Sequence, residues 1–396
     1  MPLDRAIHRI LVPSAGSTAG IGIIRSLGAA GYRVHAAAPD RAALGLRSRY
    51  AAEGAIHPPI SSLEFADWLP NYVRRHQISM IMPGWATSLF RQPALSHLAR
   101  LVPVSNDPAV LDAAESKTNL FLRMLDGDEC CRQNLPPFIT IDFDHPHSFE
   151  PELSALPTPL FIKLDSALAR EGAGDEVIRV ANSSEAQHRL EMIAGRYRKA
   201  IVQGYVPGRG AGAFFLRWGG QTAARMMHLR LHEMPHTGGA SSLRRSWWHQ
   251  SMMSDAEAKL AHLGWEGVAM VEYRWDQETD KFFLMEMNLR FWGSLHLALY
   301  AGVDFPRMLA DAFLFNQVSD KIIEPSRDVV CRNTFPFELG YLVSLFRDSQ
   351  VPFGRKVYAA IEAVALSFDP RVRNDLLYPG DRRLYFMRLK EFLTGT

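Results

Sequence analysis

Phe283-Leu284-Met285-Glu286-Met287-Asn288-Leu289-Arg290-Phe291-Trp292-Gly293-Ser294 alternates apolar and polar residues with period two. That is the pattern of a strand whose two faces differ. Parity puts Glu286, Asn288 and Arg290 on one face and Met285, Met287 and Leu289 on the other. The apolar set can pack a core, which leaves Glu, Asn and Arg facing a cleft. Upstream, Val268 to Trp275 reads as a second strand, and Asp276 to Asp280 is the polar turn into Lys281 to Leu289. Folding the pair about residue 278 or 279 places Glu272 opposite or diagonal to Glu286 on the same face, within roughly 8 Å. Two carboxylates and an amide oxygen are hard ligands that suit Mg²⁺ rather than zinc, and three ligands leave positions for phosphate oxygens. The competing reading is a solvated hairpin face carrying a Glu–Arg ion pair.

Working toward the N-terminus, Leu160-Phe161-Ile162-Lys163-Leu164 is a short apolar strand containing a lysine, which needs an anionic partner. A nucleotide phosphate or a carboxylate would serve. Only eight of the 44 cationic residues are Lys, so a lysine inside a core strand is informative. Gly172 and Gly174 follow in a loop whose backbone could approach phosphates. The chain has no GxxxxGK[ST] motif. Ala200 to Gln203 is a strand entering the turn at Pro207-Gly208, and Phe214 to Arg217 and Thr222 to Leu231 form a hairpin. A helix is expected from Ser116 to Leu125. The opening reads strand, glycine loop, helix, strand, over His8 to Val12, Gly16 to Gly22, and Tyr32 to Ala38. Ile78 to Met82 and Leu101 to Val104 are further strands of a doubly wound α/β domain. Its glycines run GxxxGxG, not GxGxxG, so the loop at Gly16 is either a tight turn or a cradle for an anionic substrate.

His232-Glu233-Met234-Pro235-His236 spells HExxH, the zinc-protease signature. That chemistry needs both histidines on one helical face, and Pro235 with Thr237-Gly238-Gly239 argues for a loop. The segment is expected to be a substrate loop beside Arg225, His228, Arg230, Arg244 and Arg245, cations that suit a carboxylate or a phosphate. Arg230, His228, Gly239, Ser241 and Gly16 are its candidate substrate contacts; a solvated basic face is the alternative. Asp142 to His147 could hold a metal but reads as an ordinary loop.

The chain has 396 residues, is 47% hydrophobic and 22% charged, and carries a net charge of +2. It is a soluble globular composition with no electrostatic footprint for nucleic acid or anionic membrane. Cys130, Cys131 and Cys331 cannot build a disulfide framework, which fits a reducing cytoplasm. The apolar N-terminal stretch is broken by Pro13, Gly16, Gly20 and Gly22, unlike a signal peptide, and no run suits a membrane span.

Over roughly residues 1 to 310 these features together resemble the ATP-grasp ligases, most of all the carbamoyl-phosphate-synthase-like carboxylate–amine ligases. The resemblance implies a mixed α/β chain: a Rossmann-like pre-ATP-grasp domain (1–112), a two-part α+β grasp domain (113–202 and 203–325) and a helical extension (326–396). It implies ATP and two Mg²⁺ ions, with Mn²⁺ as a substitute, held by Glu272, Glu286 and Asn288. Lys117 and Lys163 would bind the phosphates with Gly172 and Gly174. Gln203, Gly204, Tyr205 and Val206 would form the adenine hinge, and Arg290 would bind an acyl phosphate, acting with Lys163 in catalysis. Small carboxylate and amine substrates, and a homodimer, are compatible with it. A nucleotide or metabolite sensor without catalysis is the alternative on the same fold. Three positions depart from the family pattern. The family usually has Lys-Pro at the second lysine, whereas Lys163 is followed by Leu164-Asp165. The phosphate loop is poorer in Gly and Ser. Arg209-Gly210 stands where an acidic residue usually holds the ribose.

Overall fold

A computed structural model describes residues 3–84, 87–145, 149–170 and 174–394, with the side chains of 87 and 88 left aside. It contains three sheets, each formed by a contiguous part of the chain. The first is parallel, in the order β3-β2-β1-β4, from β1 (Arg9–Val12), β2 (Arg33–Ala38), β3 (Glu53–Ile56) and β4 (Met80–Ile81). Helices α1 (Thr18–Ala29) and α2 (Leu63–His76) connect its strands. Ser17 caps α1 by accepting from the Gly20 amide at 2.9 Å. A Cβ on Gly20 would stand 1.9 Å from the Ser14 carbonyl oxygen, and one on Gly22 would stand 3.1 Å from Leu295. These glycines therefore serve the close packing of strand, helix and neighbour. Leu101–Val104 is not a strand: a 3₁₀ turn ends at Leu101, and Pro103 lacks the donor a ladder needs.

Helices α3 (Pro108–Glu115), α4 (Lys117–Leu125) and the short α5 (Glu129–Arg132) lead into the second sheet. It is antiparallel, in the order β5-β8-β6-β7, from β5 (Phe138–Asp142), β6 (Leu160–Leu164), β7 (Glu176–Val180) and β8 (Lys199–Gln203). Helices α6 (Glu150–Ser154) and α7 (Ser183–Ile193) cover one face. Leu160, Ile162 and Leu164 join that core, so the pleat turns Phe161 and Lys163 the other way.

The third sheet has seven strands in the order β13-β12-β9-β10-β11-β14-β15. They are β9 (Arg209–Trp218), β10 (Gln221–Met234), β11 (Ala240–Ser246), β12 (Gly267–Trp275), β13 (Phe282–Asn288), β14 (Val330–Arg332) and β15 (Val372–Asn374). Helices α8 (Gln250–Leu263), α9 (Leu295–Ala301) and α10 (Phe305–Phe315) pack its two faces into separate cores. Past residue 326 the chain is more than a helical extension. β14 and β15 widen the sheet, and α11 (Leu339–Arg347), α12 (Phe353–Phe368) and α13 (Arg383–Thr394) accompany them. No described helix is long and apolar enough to cross a membrane.

Candidate active site

Glu272 and Glu286 are direct partners in the β12–β13 ladder. The next pair is Tyr273 with Leu284, which leaves Met285 as the extra residue of a β-bulge. The bulge changes the parity on which the first reading rested. Leu284, Met287 and Leu289 enter the core, while Met285 lines the cleft beside Glu286. Met285 therefore does not share a face with Met287, contrary to simple alternation.

Three neighbouring cavities share Glu286 in their walls. One, of about 510 Å³, is walled by Lys117, Lys163, the residues Gln203, Tyr205 and Val206 at the end of β8, and Thr237 to Ala240 at the start of β11. Glu272 and Arg230 also line it. The second, also about 510 Å³, runs along Ser116, Lys117, Asp165, Ser166, Asp175, Asn288 and Arg290. The third, about 230 Å³, holds His228, Arg230, Ser241, Arg290, Trp292 and Ser294, with Asn333 and Asp375 from the tail.

Glu272 and Glu286 each have a cation. Arg230 meets Glu272 at 2.5 Å, and Lys117 meets Glu286 at 3.3 Å. The Asn288 amide donates to Glu286 at 2.7 Å, and Arg290 donates to the Asn288 oxygen at 3.0 Å. Burial pushes the Glu272 carboxyl above its usual range despite Arg230, and Glu286 adds to that. Burial pushes Glu286 the same way but is outweighed by Lys117 and the Asn288 bond, so its carboxyl sits below the usual range. Lys163 is buried and donates to the Met285 carbonyl at 3.2 Å. Burial lowers its ammonium to about 8, in spite of Glu286 nearby. Burial likewise lowers Arg290 from the usual arginine range.

Asp165, two residues after Lys163, accepts from the Ser116 hydroxyl and the Thr118 amide, both at 2.9 Å. It ties the end of β6 to the start of α4, and so sets Lys117 against Lys163. Nothing in the sequence linked these two lysines through Asp165; only the meeting of α4 with β6 does.

In the segment expected to form the adenine hinge, the Gly204 amide donates to the Pro137 carbonyl and the Tyr205 amide to the Pro157 carbonyl. A Cβ at 204 would lie 2.7 Å from the Pro157 ring, so this close approach needs glycine. The Gln203 side-chain oxygen is buried without a partner among the described residues. A Cβ on Gly210 would stand 2.3 Å from the Glu233 carboxylate, so a side chain there would have to displace Glu233. Glu233 reaches that place from β10.

The HExxH reading as a zinc site fails. His232, Glu233 and Met234 end strand β10, and shifts in the β10–β11 register turn its side chains apart. His232 pairs with Glu338 at 2.7 Å and stacks on Tyr341. His236 meets Asp348 at 2.9 Å, while Glu233 lines the cleft. Among the five basic residues expected at the substrate loop, His228 and Arg230 line the cleft and Gly239 and Ser241 join them. Arg225 pairs instead with Glu257 and Glu324, Arg244 is buried on Asp375, and Arg245 is not among the lining residues. Gly16 lies against Ala43 and lines none of the three cavities. Gly174 accepts the Tyr197 hydroxyl through its carbonyl and also lies off the cavity walls. Gly172, and His147 of the Asp142 loop, fall outside the described residues.

His228 is fully buried with its ring on Phe214, and its Nε2 has no partner among the described residues. Burial, then Arg230, keep it neutral far below the usual histidine range.

No protein-family model and no curated protein matches the sequence. Solved structures do match the fold. An L-amino acid ligase from Bacillus licheniformis aligns with a TM-score of 0.57 at 13% identity, over 81% of this chain and 78% of that one. N5-carboxyaminoimidazole synthetase from Staphylococcus aureus, complexed with ADP, aligns with a TM-score of 0.62 at 14% identity, over 82% of each chain. The biotin carboxylase domain of Hydrogenobacter thermophilus 2-oxoglutarate carboxylase, with MgADP and bicarbonate, gives 0.60 at 11% identity, over 81% of this chain and 73% of that one. Three sheets, a pair of glutamates side by side on the third and this set of likenesses lead to one conclusion about architecture: the chain has the ATP-grasp fold.

Proposed function

We propose that this chain is an ATP-dependent carboxylate–amine ligase that forms an amide through an acyl phosphate and releases ADP and phosphate. One observation carries the reading: Glu272 and Glu286 face each other in a cleft where Lys117, Lys163, Arg230 and Arg290 converge. A cluster of four cations around two carboxylates suits a triphosphate with its counter-ions, and the likeness to an ADP-bound synthetase and an amino acid ligase supports it.

The donor set fits Mg²⁺, because Glu272, Glu286 and Asn288 offer only hard oxygen atoms. Bound there with nucleotide, the metal would neutralise phosphate charge; Arg230 and Lys117 would hand their carboxylates over to it. Lys163 and Lys117 hold the phosphates, and the orphaned Gln203 oxygen accepts from the adenine amino group. Glu233 supplies the acidic contact to the ribose that Arg209-Gly210 does not. A substrate carboxylate, an amino acid or another small acid, attacks the γ-phosphorus, and ADP leaves. Little covalent work falls to the protein beyond positioning and charge neutralisation. Arg290 steadies the acyl phosphate and then the oxyanion formed as an amine attacks; phosphate leaves and the amide remains.

Calorimetry with ATP and Mg²⁺ tests the nucleotide site on wild type and on Lys163→Met. Binding that weakens without Mg²⁺ and with the lysine change supports it, and ADP release with pools of amino acids then tests the ligase. No binding by the folded wild type overturns both. ATP binding with no ADP release from any acid and amine pool favours a sensor.

A further inference from the structure

Helix α12 turns its apolar side outward. At 100° per residue, Phe353, Val357, Ile361, Val364 and Phe368 fall within a sector of about 80°. Phe353 is 77% exposed, Ile361 63%, Val364 59% and Phe368 82%. The opposite side carries the buried Ala359 and is fastened to the sheet. There the Arg332 guanidinium donates to the Ala363 carbonyl at 3.2 Å and to the Ser367 hydroxyl at 2.9 Å. The charged residues of the helix, Arg355, Lys356 and Glu362, lie outside the sector, whereas the exposed Tyr358 borders it. A continuous stripe without charge along one helix marks an interaction surface.

Two features select the occupant. The stripe reads alike in both directions. Turning a second helix antiparallel about the midpoint between Ala360 and Ile361 lays Phe353 on Phe368 and Val357 on Val364, and sets two Ile361 side chains together. A two-fold interface requires this self-complementarity, since each contact must occur twice. The area also suffices. With aromatic side chains taken at about 200 Å² each, the stripe and Tyr358 expose roughly 700 Å² per protomer, near the ~800 Å² per partner of a standard interface.

We infer that α12 pairs antiparallel with α12 of a second copy of this chain, about a two-fold axis between Ala360 and Ile361. The inference rests on the helix alone and stands apart from the ligase reading. Sedimentation of the full chain at high micromolar concentration should show twice the 44.5 kDa mass. Ile361→Asp should weaken the dimer by roughly 100-fold or more with an unchanged circular dichroism spectrum. Should that variant fail to fold, Ile361→Cys in a Cys130→Ser background decides: oxidation should link it into a covalent dimer, and should not link Arg355→Cys. A monomeric wild type, a dimer untouched by Ile361→Asp, or a monomer that instead sediments with phosphatidylcholine vesicles would each overturn the inference.

Discussion

Lys163 spends its charge on a backbone carbonyl while burial holds it near a pKa of about 8. Its folded value lies below the ordinary lysine value, so the unfolded chain binds more protons between the two. The charge is therefore a cost to stability below pH 8, relieved as pH rises toward the ordinary value. Lys163→Met should unfold at higher denaturant, by about 1–3 kcal/mol at pH 7, while losing ATP affinity. Because the charged form binds phosphate, wild-type ATP affinity, read by calorimetry, should fall as pH climbs through about 8. The Met variant should show no such slope. Glu286→Gln should lower turnover by about 10³-fold or more, read as ADP release, because it removes a donor and half of the facing pair. Full activity in that variant would sink the assignment. Glu272, Glu286, Asn288 and Lys163 were legible as residues because period-two alternation exposes a polar residue in an apolar strand. Glu233 was not, since its neighbours spelled a different motif.

Among elements, the join between β6 and α4 and the bulge at Met285 do most to shape the cleft. Asp165→Ala should release the start of α4, raising the KM for ATP about 10-fold with a smaller change in kcat, and cost about 1–3 kcal/mol for the unmet Thr118 amide. Equal KM values in both proteins would show that Lys117 is placed by something else. Glu233→Gln should raise the KM for ATP several-fold and leave that for a deoxyribose analogue nearly unchanged, if its carboxylate holds a ribose hydroxyl. Strand positions were readable from alternation, but the bulges were not. A bulge inserts a residue without altering composition, so parity past Met285 and around Leu231 could be seen only in the paired ladders.

Across the whole molecule, the tail binds the first sheet to the third. Arg25 on α1 is fully buried and donates to the Asp381 carboxylate at 3.2 Å and to the Asp375 and Leu376 carbonyls at 2.6 and 3.0 Å. Asp381→Ala strands that charge and should lower unfolding free energy by about 3 kcal/mol, measured in urea; a change below about 0.5 kcal/mol would show that the carbonyls suffice. Asn333 and Asp375 of the same tail wall the third cavity, a role that no local pattern announced. The sequence alone determined the glutamate-bearing hairpin β12–β13 and the embedded lysine of β6, because hydrophobic periodicity and the cost of a buried charge act over a few neighbours; short strands such as β3, β5, β14 and β15 carry too little pattern to be read that way. The tertiary structure decided which way Met285 and Glu233 face, how Asp165 joins Lys117 to Lys163, and that the tail completes the cleft. Those are contacts between residues tens to hundreds of positions apart, and only the packing of the sheets brings them together.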